Sequence, residues 1–329
     1  MCFKTISLNR KPSNKLANLI LNHQWDSVKK HCIKRPLDVQ LESPCPLDLA
    51  LERCAPLYVI EGLLNAYPDA LYHVDSRGRT IFHKAIMNPN TLELLKVLLE
   101  STEKKPSSDK LFDLISRPTD KSKCTVLHNA CKHNAPLDAI HFLLDHIYDS
   151  LKESKLWLAQ NNEGATPAHL LARYHPSRFD LFQFIAEYKF GNIALESMDN
   201  EGGTILHKLC RGSKSLSNDL RSSFEFILKS FPCLLIYQNR KGQTPLHVAC
   251  KTNAPYILVK LLVTADSSAL SIGDKTGCTP YLLNNGFGTD HDVNELLEMK
   301  THLLQRTPSL TYLQRDRSRS AIYRRRLTS

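Results

Sequence analysis

The sequence lacks any long hydrophobic run. No segment approaches the roughly 20 apolar residues that a membrane-spanning helix needs, although 42% of the 329 residues are hydrophobic. The first residues, Met1 to Lys15, carry charged and polar side chains throughout and do not resemble a signal peptide. We therefore expect an intracellular protein of the cytoplasm, with the nucleus as an alternative.

Two further absences concern chemistry. The ten cysteines include no Cys-x-x-Cys pair, which argues against a zinc module or a thioredoxin-like site and favours free thiols in a reducing compartment. The chain also lacks the motifs G-x-x-x-x-G-K-(S/T), G-x-G-x-x-G and G-x-S-x-G, which would indicate phosphate loops, dinucleotide sites or serine hydrolases. We expect a protein that is not an enzyme and needs no cofactor.

Glycine is scarce, and five of the twelve glycines occupy one position of a recurring motif. The motif reads Asp or Asn, polar residues, Gly, one residue, Thr, and then His three residues after Thr. Its copies are Asp75–Gly78–Thr80–His83, Asn161–Gly164–Thr166–His169, Asp199–Gly202–Thr204–His207 and Asn239–Gly242–Thr244–His247, with two imperfect ones, Asp120–Lys123–Thr125–His128 and Asp274–Gly277–Thr279–Leu282. The spacings between the threonines are 45, 41, 38, 40 and 35 residues. A repeat at such a period predicts a stack of similar units.

Each position of this motif has a physical role. Glycine two residues before Thr predicts a turn with positive φ, which glycine adopts without strain. Threonine predicts the N-cap of a helix. Proline follows it at positions 167, 245 and 280, and follows Cys45 at position 46 in a weaker unit; at this first helical position the missing N–H has no helical partner to lose. Apolar residues then recur with the helical period along two helices.

The motif resembles that of the ankyrin repeat family, most completely in the nine residues from Asn239 to His247. The resemblance covers residues 41–299. It implies an all-α ankyrin-repeat solenoid of about seven helix-turn-helix units, with β-turn fingers and a concave face. On this basis we predict a helical N-terminal cap over residues 1–40, an ankyrin-repeat array over residues 41–305 and a disordered Arg-rich tail over residues 306–329.

The units are longer than the 33 residues typical of that family. Two insertions stand out, Ser101–Pro118 and Gly212–Leu220. We interpret both as surface loops, which could add contacts to a partner or contribute nothing.

Histidine and cysteine share one helix face in three units, at His128/Cys131, His207/Cys210 and His247/Cys250. Two ligands per unit fall short of the four that a structural zinc site needs. Both are framework positions, and the resemblance implies that this histidine hydrogen-bonds the backbone of the neighbouring turn. We expect no metal site.

Basic residues recur where the first helix of successive units ends. Equivalent positions of stacked units lie side by side, so these residues predict a basic row that would attract an acidic or phosphorylated protein. The candidate partner-binding residues are Arg77, Arg79, Lys84, Lys132, Arg173, Tyr174, Lys208, Arg211, Arg240 and Lys251. The alternative is that this row is an ordinary solvated face of the repeats.

The net charge of +10 is concentrated at the C-terminal end, since residues 306–329 hold seven Arg and one Asp. Arginine three residues before Ser318, Ser320 and Thr328 resembles the sites of basophilic kinases, and phosphorylation there would remove positive charge. The main functional prediction is a non-catalytic adaptor or scaffold that binds another protein in signalling. The alternative is a regulator that contacts nucleic acid or an anionic membrane through this tail.

Overall fold

The computed structural model describes residues 15–41, 45–100, 107–147, 149–188, 191–212, 217–287 and 291–306. In these ranges the regular structure is helical, apart from one isolated β-bridge between Val74 and Thr80. This confirms the all-α prediction for the described residues. They form two compact units, the first comprising residues up to Ile227 and the second those from Leu228.

The first unit consists of paired short helices and one 3-10 helix, Pro68–Tyr72. Its α-helices are α1 (Lys15–Leu21), α2 (Trp25–Lys34), α3 (Pro36–Leu41), α4 (Pro46–Glu52), α5 (Leu57–Ala66), α6 (Ile81–Ala85), α7 (Thr91–Glu100), α8 (Ser108–Ser116), α9 (Val126–Lys132), α10 (Leu137–Asp145), α11 (Ser150–Leu158), α12 (Pro167–Tyr174), α13 (Phe179–Glu187), α14 (Gly191–Glu196), α15 (Ile205–Gly212) and α16 (Asn218–Ser230), which continues past the end of the unit.

The second unit has the same alternation of helices and turns. Its elements are a 3-10 helix (Pro232–Leu235), α17 (Pro245–Lys251), α18 (Tyr256–Ala265), a 3-10 helix (Ser267–Ser271), α19 (Pro280–Phe287) and α20 (His291–Arg306). Its core is formed by apolar side chains of α17 and α18, among them Leu246, Leu258 and Leu262, all almost fully buried.

Successive first helices pack against one another. In the first unit α12 lies between α9 and α15 and contacts both. Their inward faces carry small or aliphatic residues, such as Ala130, Cys131 and Ala168, which are fully buried and let the helices approach closely. Cys131, Cys210 and Cys250 are buried, and burial raises the pKa of Cys131 and Cys250 to about 12, so these two thiols stay protonated.

The repeat motif forms the predicted β-turn. In the second unit the Gly242 amide donates to the Asn239 carbonyl at 2.8 Å. The Asn239 side-chain oxygen accepts from the amides of Lys241 (2.9 Å) and Gln243 (3.0 Å). Asp75, Asn161, Asp199 and Asp274 make equivalent bonds, so their side chains replace missing backbone partners. In the imperfect copy the turn starts at Thr119 instead of Asp120, and the Thr119 hydroxyl accepts from the Cys124 amide at 3.2 Å.

Glycine in this turn is required for two reasons. Gly242 has φ +75°, and a Cβ built on it would lie 2.6 Å from the backbone nitrogen of Lys275 in the next turn. The two turns are this close because the Lys275 amide donates to the Lys241 carbonyl at 3.0 Å. The predicted positive φ is confirmed, and in the imperfect copy Lys123 adopts it, with φ +56°.

The threonine and histidine of the motif connect one repeat to the next. Thr125 caps α9, and its amide donates to His128 Nδ1 at 3.2 Å. Because Nδ1 accepts this bond, the proton of the neutral ring lies on Nε2, which donates to the Ala165 carbonyl of the next turn at 2.9 Å. His83, His169 and His247 make the equivalent bonds to the carbonyls of Cys124, Gly203 and Cys278. Both ring nitrogens are thus engaged in these four histidines, and the resemblance-based role is confirmed.

The interpretation of Ser101–Pro118 as a surface loop was wrong for its described part. Residues Ser108–Ser116 form α8, which buries Leu111, Leu114 and Ile115. Helices α11 and α14 hold the same position in the next two repeats, and α11 contacts both α8 and α14. A third helix therefore accounts for the long period in this part of the chain.

The second insertion, Gly212–Leu220, also differs from the prediction where it is described. Helix α16 begins at Asn218, and Leu220 is buried, so the end of the insertion belongs to the core. Residues 213–216 lie outside the described residues.

We predict that Gly242→Ala destabilises the second unit more than Gly277→Ala. Both glycines have positive φ, which costs an L-residue about 1–2 kcal/mol, but a Cβ on Gly277 meets nothing within 4 Å, whereas one on Gly242 meets the Lys275 backbone. Urea unfolding of the full chain, followed by circular dichroism, measures the difference. Equal losses for the two variants would contradict the argument from close approach.

We also predict that stability falls as the pH is lowered from 6.5 to 4. Burial lowers the pKa of His83, His128 and His169 from 6.5 to about 4. In this window the unfolded chain binds protons that the folded chain does not, so the free energy of unfolding decreases by up to about 3 kcal/mol per histidine.

Urea midpoints measured at several pH values test this prediction. The variant His128→Gln is expected to be less stable at neutral pH, because its bonds are lost, but to show a shallower pH dependence between 6.5 and 4. An unchanged slope in that variant would show that other groups cause the acid sensitivity.

Candidate interaction surface

The ten predicted partner-binding residues fall into two groups. Three are held in ion pairs and are wholly or partly buried, namely Lys84, Arg79 and Lys208. The other seven have exposed side chains, namely Arg77, Lys132, Arg173, Tyr174, Arg211, Arg240 and Lys251.

Lys84 lies in a buried cluster of charges rather than on an open surface. Its side chain is only 3% exposed, and Nζ lies 2.5 Å from Asp48 Oδ1, 3.0 Å from Glu52 Oε1 and 3.6 Å from Asp75 Oδ2. Helices α4 and α6, which pack together, bring these groups to one place. The lysine thus neutralises carboxylates that would otherwise be costly to bury.

The three carboxylates of this cluster have the spacing of a metal site. Oxygens of Asp48, Glu52 and Asp75 lie within 4.8 Å of one another. The Lys84 ammonium contacts all three, and the Arg79 guanidinium binds Glu52 at 2.9 Å and Asp75 at 2.8 Å. Two cations of the chain therefore already compensate these charges, and we assign the cluster a structural role.

The electrostatics of Asp75 show how tightly this cluster is held. Burial alone would raise its pKa, but hydrogen bonds from the Arg79 and Arg77 amides and from the Arg79 guanidinium lower the pKa to about 2. Asp75 therefore stays ionised across the physiological range, and it fixes both the repeat turn and the position of Arg79.

Lys208 makes an equivalent ion pair in another repeat of the first unit. Its ammonium pairs with Asp199, the residue that starts the preceding turn, and both side chains are largely buried. The spacing of nine residues is the same as in Asp75 and Lys84. Where asparagine starts the turn, the residue nine positions later is aliphatic, at Leu170 and Val248. This pairing was readable in the sequence but was missed there.

Three exposed basic residues of the first unit stand at equivalent helix ends. Lys132, Arg173 and Arg211 stand in the last turns of α9, α12 and α15, and α12 contacts both neighbours. Positive charge is favourable in the last turn of a helix, where carbonyl groups point outward. The His175 ring also donates from Nε2 to the Lys132 carbonyl at 3.0 Å, which ties the ends of α9 and α12 together.

Tyr174 brings an aromatic ring into this row of charges. Its side chain is 43% exposed. The Lys132 ammonium lies 5.9 Å and the Arg173 guanidinium 5.3 Å from its ring centroid, within the range of cation–π attraction. We call Lys132, Arg173, Tyr174 and Arg211 the basic surface.

One carboxylate partly compensates the basic surface. Glu163, at the tip of a repeat turn, places Oε2 3.6 Å from Arg173 Nη1, with side chains 60% and 46% exposed. An ion pair this open contributes about 0–1 kcal/mol. Burial, and then the positive charge of Lys132, lower the pKa of the neighbouring His133. The surface keeps a net positive charge.

Comparison with known families supports the repeat assignment. Residues 227–283 match the family described as ankyrin repeats (many copies). This segment of the chain is therefore similar to ankyrin repeats. The matched region includes the motif from Asn239 to His247, where the resemblance is most complete. No curated protein is detectably similar to the chain.

The remaining candidate residues lie on other turns and helices of the two units. Arg77 and Arg240 are exposed at the tips of repeat turns, and Lys251 is exposed at the end of α17 in the second unit. Ser318, Ser320 and Thr328 lie outside the described residues. Among the described helices, none has both the length and the hydrophobicity needed to span a membrane.

We predict that Lys84→Met destabilises the protein strongly, by about 3–5 kcal/mol, because it leaves the buried Asp48 carboxylate without its ammonium partner. Methionine has a similar volume, so a cavity does not explain the loss. Thermal unfolding measures the effect, and Lys132→Met is the control, expected to change stability by less than about 0.5 kcal/mol.

A second variant tests the cause of that loss. Adding Asp48→Asn to Lys84→Met removes the carboxylate nearest to Lys84 and should restore part of the stability. If the double variant is no more stable than Lys84→Met, the loss does not arise from uncompensated charge.

Proposed function

We propose that this protein is a non-catalytic adaptor that binds another protein through the basic surface and the tips of its repeat turns. Ankyrin repeats in general mediate protein–protein interaction, and the match at residues 227–283 supports that class of function. The proposal includes a continuous repeat array over residues 41–305, a helical cap over residues 1–40 and a cytoplasmic or nuclear location.

The contact of Tyr174 with two cations carries this proposal. A solvated face needs only dispersed charge, whereas here an aromatic ring with 43% exposure lies against Lys132 and Arg173. Tyrosine and arginine are the residue types enriched at the energetic centres of protein interfaces. Glu163 is the acidic group that reaches Arg173, and its weak pairing leaves the cation accessible to a partner.

The structure narrows the set of residues proposed to contact the partner. Lys84 and Lys208 hold carboxylates inside the repeats, and Arg79 is anchored by Asp75 and Glu52. Their proposed role is to support the repeat turns. The proposed contacts are Arg77, Lys132, Arg173, Tyr174, Arg211, Arg240 and Lys251.

A second candidate function rests on the concentration of arginine in residues 306–329. A tail with this composition attracts nucleic acid or anionic lipid, with an affinity that falls steeply as salt increases. In that case the repeats would be a secondary platform, and phosphorylation at Ser318, Ser320 or Thr328 would weaken binding by removing positive charge.

Capture of partners from a native extract tests the two candidates. The baits are the intact chain, the chain without residues 307–329, and the triple variant Lys132→Gln, Arg173→Gln, Arg211→Gln. A matched control changes one lysine and two arginines that are exposed elsewhere in the first unit, as Lys155→Gln, Arg53→Gln and Arg117→Gln. Lys251→Gln is tested separately, because Lys251 lies in the second unit.

The adaptor proposal predicts a protein partner that binds the truncated chain and the matched control but loses at least ten-fold in recovery with the triple variant. Equal recovery by the triple variant and the matched control would mean that the basic surface is an ordinary solvated face. Partners lost only with residues 307–329 would establish the second candidate instead.

A further inference from the structure

We propose that the basic surface binds a polyproline II segment of the partner with an acidic residue at every third position. This inference rests on the proposed function and specifies the chemistry of the partner. It follows from the equivalent positions of the cations on three successively packed helices, the contacts of Tyr174 and the weak contact of Glu163.

The separation of the cations decides the spacing of the ligand. Lys132, Arg173 and Arg211 stand in equivalent turns of three helices packed in sequence. Packed helices are about 8–10 Å apart. A polyproline II segment rises about 3.1 Å per residue with three residues per turn, so every third side chain lies on the same side, about 9 Å from the last.

Other anionic ligands fit this arrangement less well. In a β-strand, residues three apart point to opposite sides, so a strand cannot present such carboxylates to one surface. A phosphate group is best bound by cations that converge on one point, whereas these three are distributed over three helices. A row of single carboxylates matches a row of single cations.

Tyr174 explains why the segment should contain proline. The centroid of the ring lies 5.9 Å from the Lys132 ammonium and 5.3 Å from the Arg173 guanidinium, so a segment that pairs with both cations passes close to the ring. Aromatic side chains are the usual contacts for proline in polyproline II recognition. Proline also holds the segment in the required conformation before binding, which reduces the entropy lost.

The variant Glu163→Gln distinguishes the loss of a competing carboxylate from damage to the fold. Its carboxylate lies 3.6 Å from the guanidinium of Arg173, the middle cation, and would compete with an acidic ligand. Glu163→Gln should therefore tighten binding, whereas a variant that merely disturbs the fold would weaken it.

The experiment measures binding of fluorescein-labelled peptides to the full-length chain by fluorescence anisotropy at low ionic strength. The first probe contains Glu-Pro-Pro-Glu-Pro-Pro-Glu, and the second contains Pro-Pro-Glu-Glu-Glu-Pro-Pro, which has the same composition and charge. A third probe replaces the central Glu of the first with phosphoserine and the other two with Gln.

We expect the first peptide to bind at least five-fold more tightly than the other two. Each of Lys132→Gln, Arg173→Gln and Arg211→Gln should weaken it by about two- to five-fold, as expected for exposed ion pairs. Glu163→Gln should strengthen it by about two-fold, and Arg53→Gln, Arg117→Gln and Lys155→Gln should leave it unchanged.

Equal binding of the two glutamate peptides, tighter binding of the phosphoserine peptide, or no binding of the first peptide would each overturn this inference. None of these results would remove the proposed function, which fails only if partner capture is unaffected by neutralising the basic surface. The two failures are therefore distinguishable.

Discussion

The hydrogen bonds of the buried motif histidine are the interaction on which the described repeats depend. One ring nitrogen accepts from the threonine amide that begins a helix, and the other donates to a carbonyl of the next turn, as in His128 with Thr125 and Ala165. The same residue thus fixes where a helix starts and how far away the next unit lies. Since the ring is buried and neutral, both bonds form without burying a charge. The same bonds occur in four of the described repeats. They therefore fix how equivalent surface residues of successive repeats are aligned.

The buried lysines follow from the same constraint. In the turns that begin with Asp75 and Asp199, the carboxylate lies at the contact between helix and turn and pairs with the residue nine positions later, whereas the turn that begins with Asp274 has Leu283 at that position. Lys84 and Lys208 occupy that position, whereas units that begin with asparagine place Leu170 and Val248 there. Lysine in a repeat helix therefore has two different roles. Four residues after the threonine it stabilises the turn, and seven residues after it, as in Lys132, it reaches solvent.

The third helices change what the repeat can present to a partner. Helix α8 was expected as a loop because Ser101–Pro118 lacks the turn motif, yet Leu111, Leu114 and Ile115 recur with helical spacing and are buried. Helix α11 contacts both α8 and α14, so these third helices form a layer along three successive repeats. These units thus bury more apolar surface than two helices allow, and the ends of α9, α12 and α15 remain the exposed ends that carry the basic surface.

The sequence alone determined the all-helical class, the repeat, the positive φ of its glycines and the threonine caps, and the resemblance to ankyrin repeats implied the histidine bonds. Each of these depends on residues close in the chain or on a motif whose geometry repeats, so local spacing is sufficient. Only the tertiary structure decided which basic residues are available. Asp48 and Glu52 lie more than thirty positions from Lys84 and bind it because α4 packs on α6, and Glu163 reaches Arg173 from a turn. The sequence shows which residues are charged, but the fold decides whether a charge is exposed and which opposite charge lies beside it.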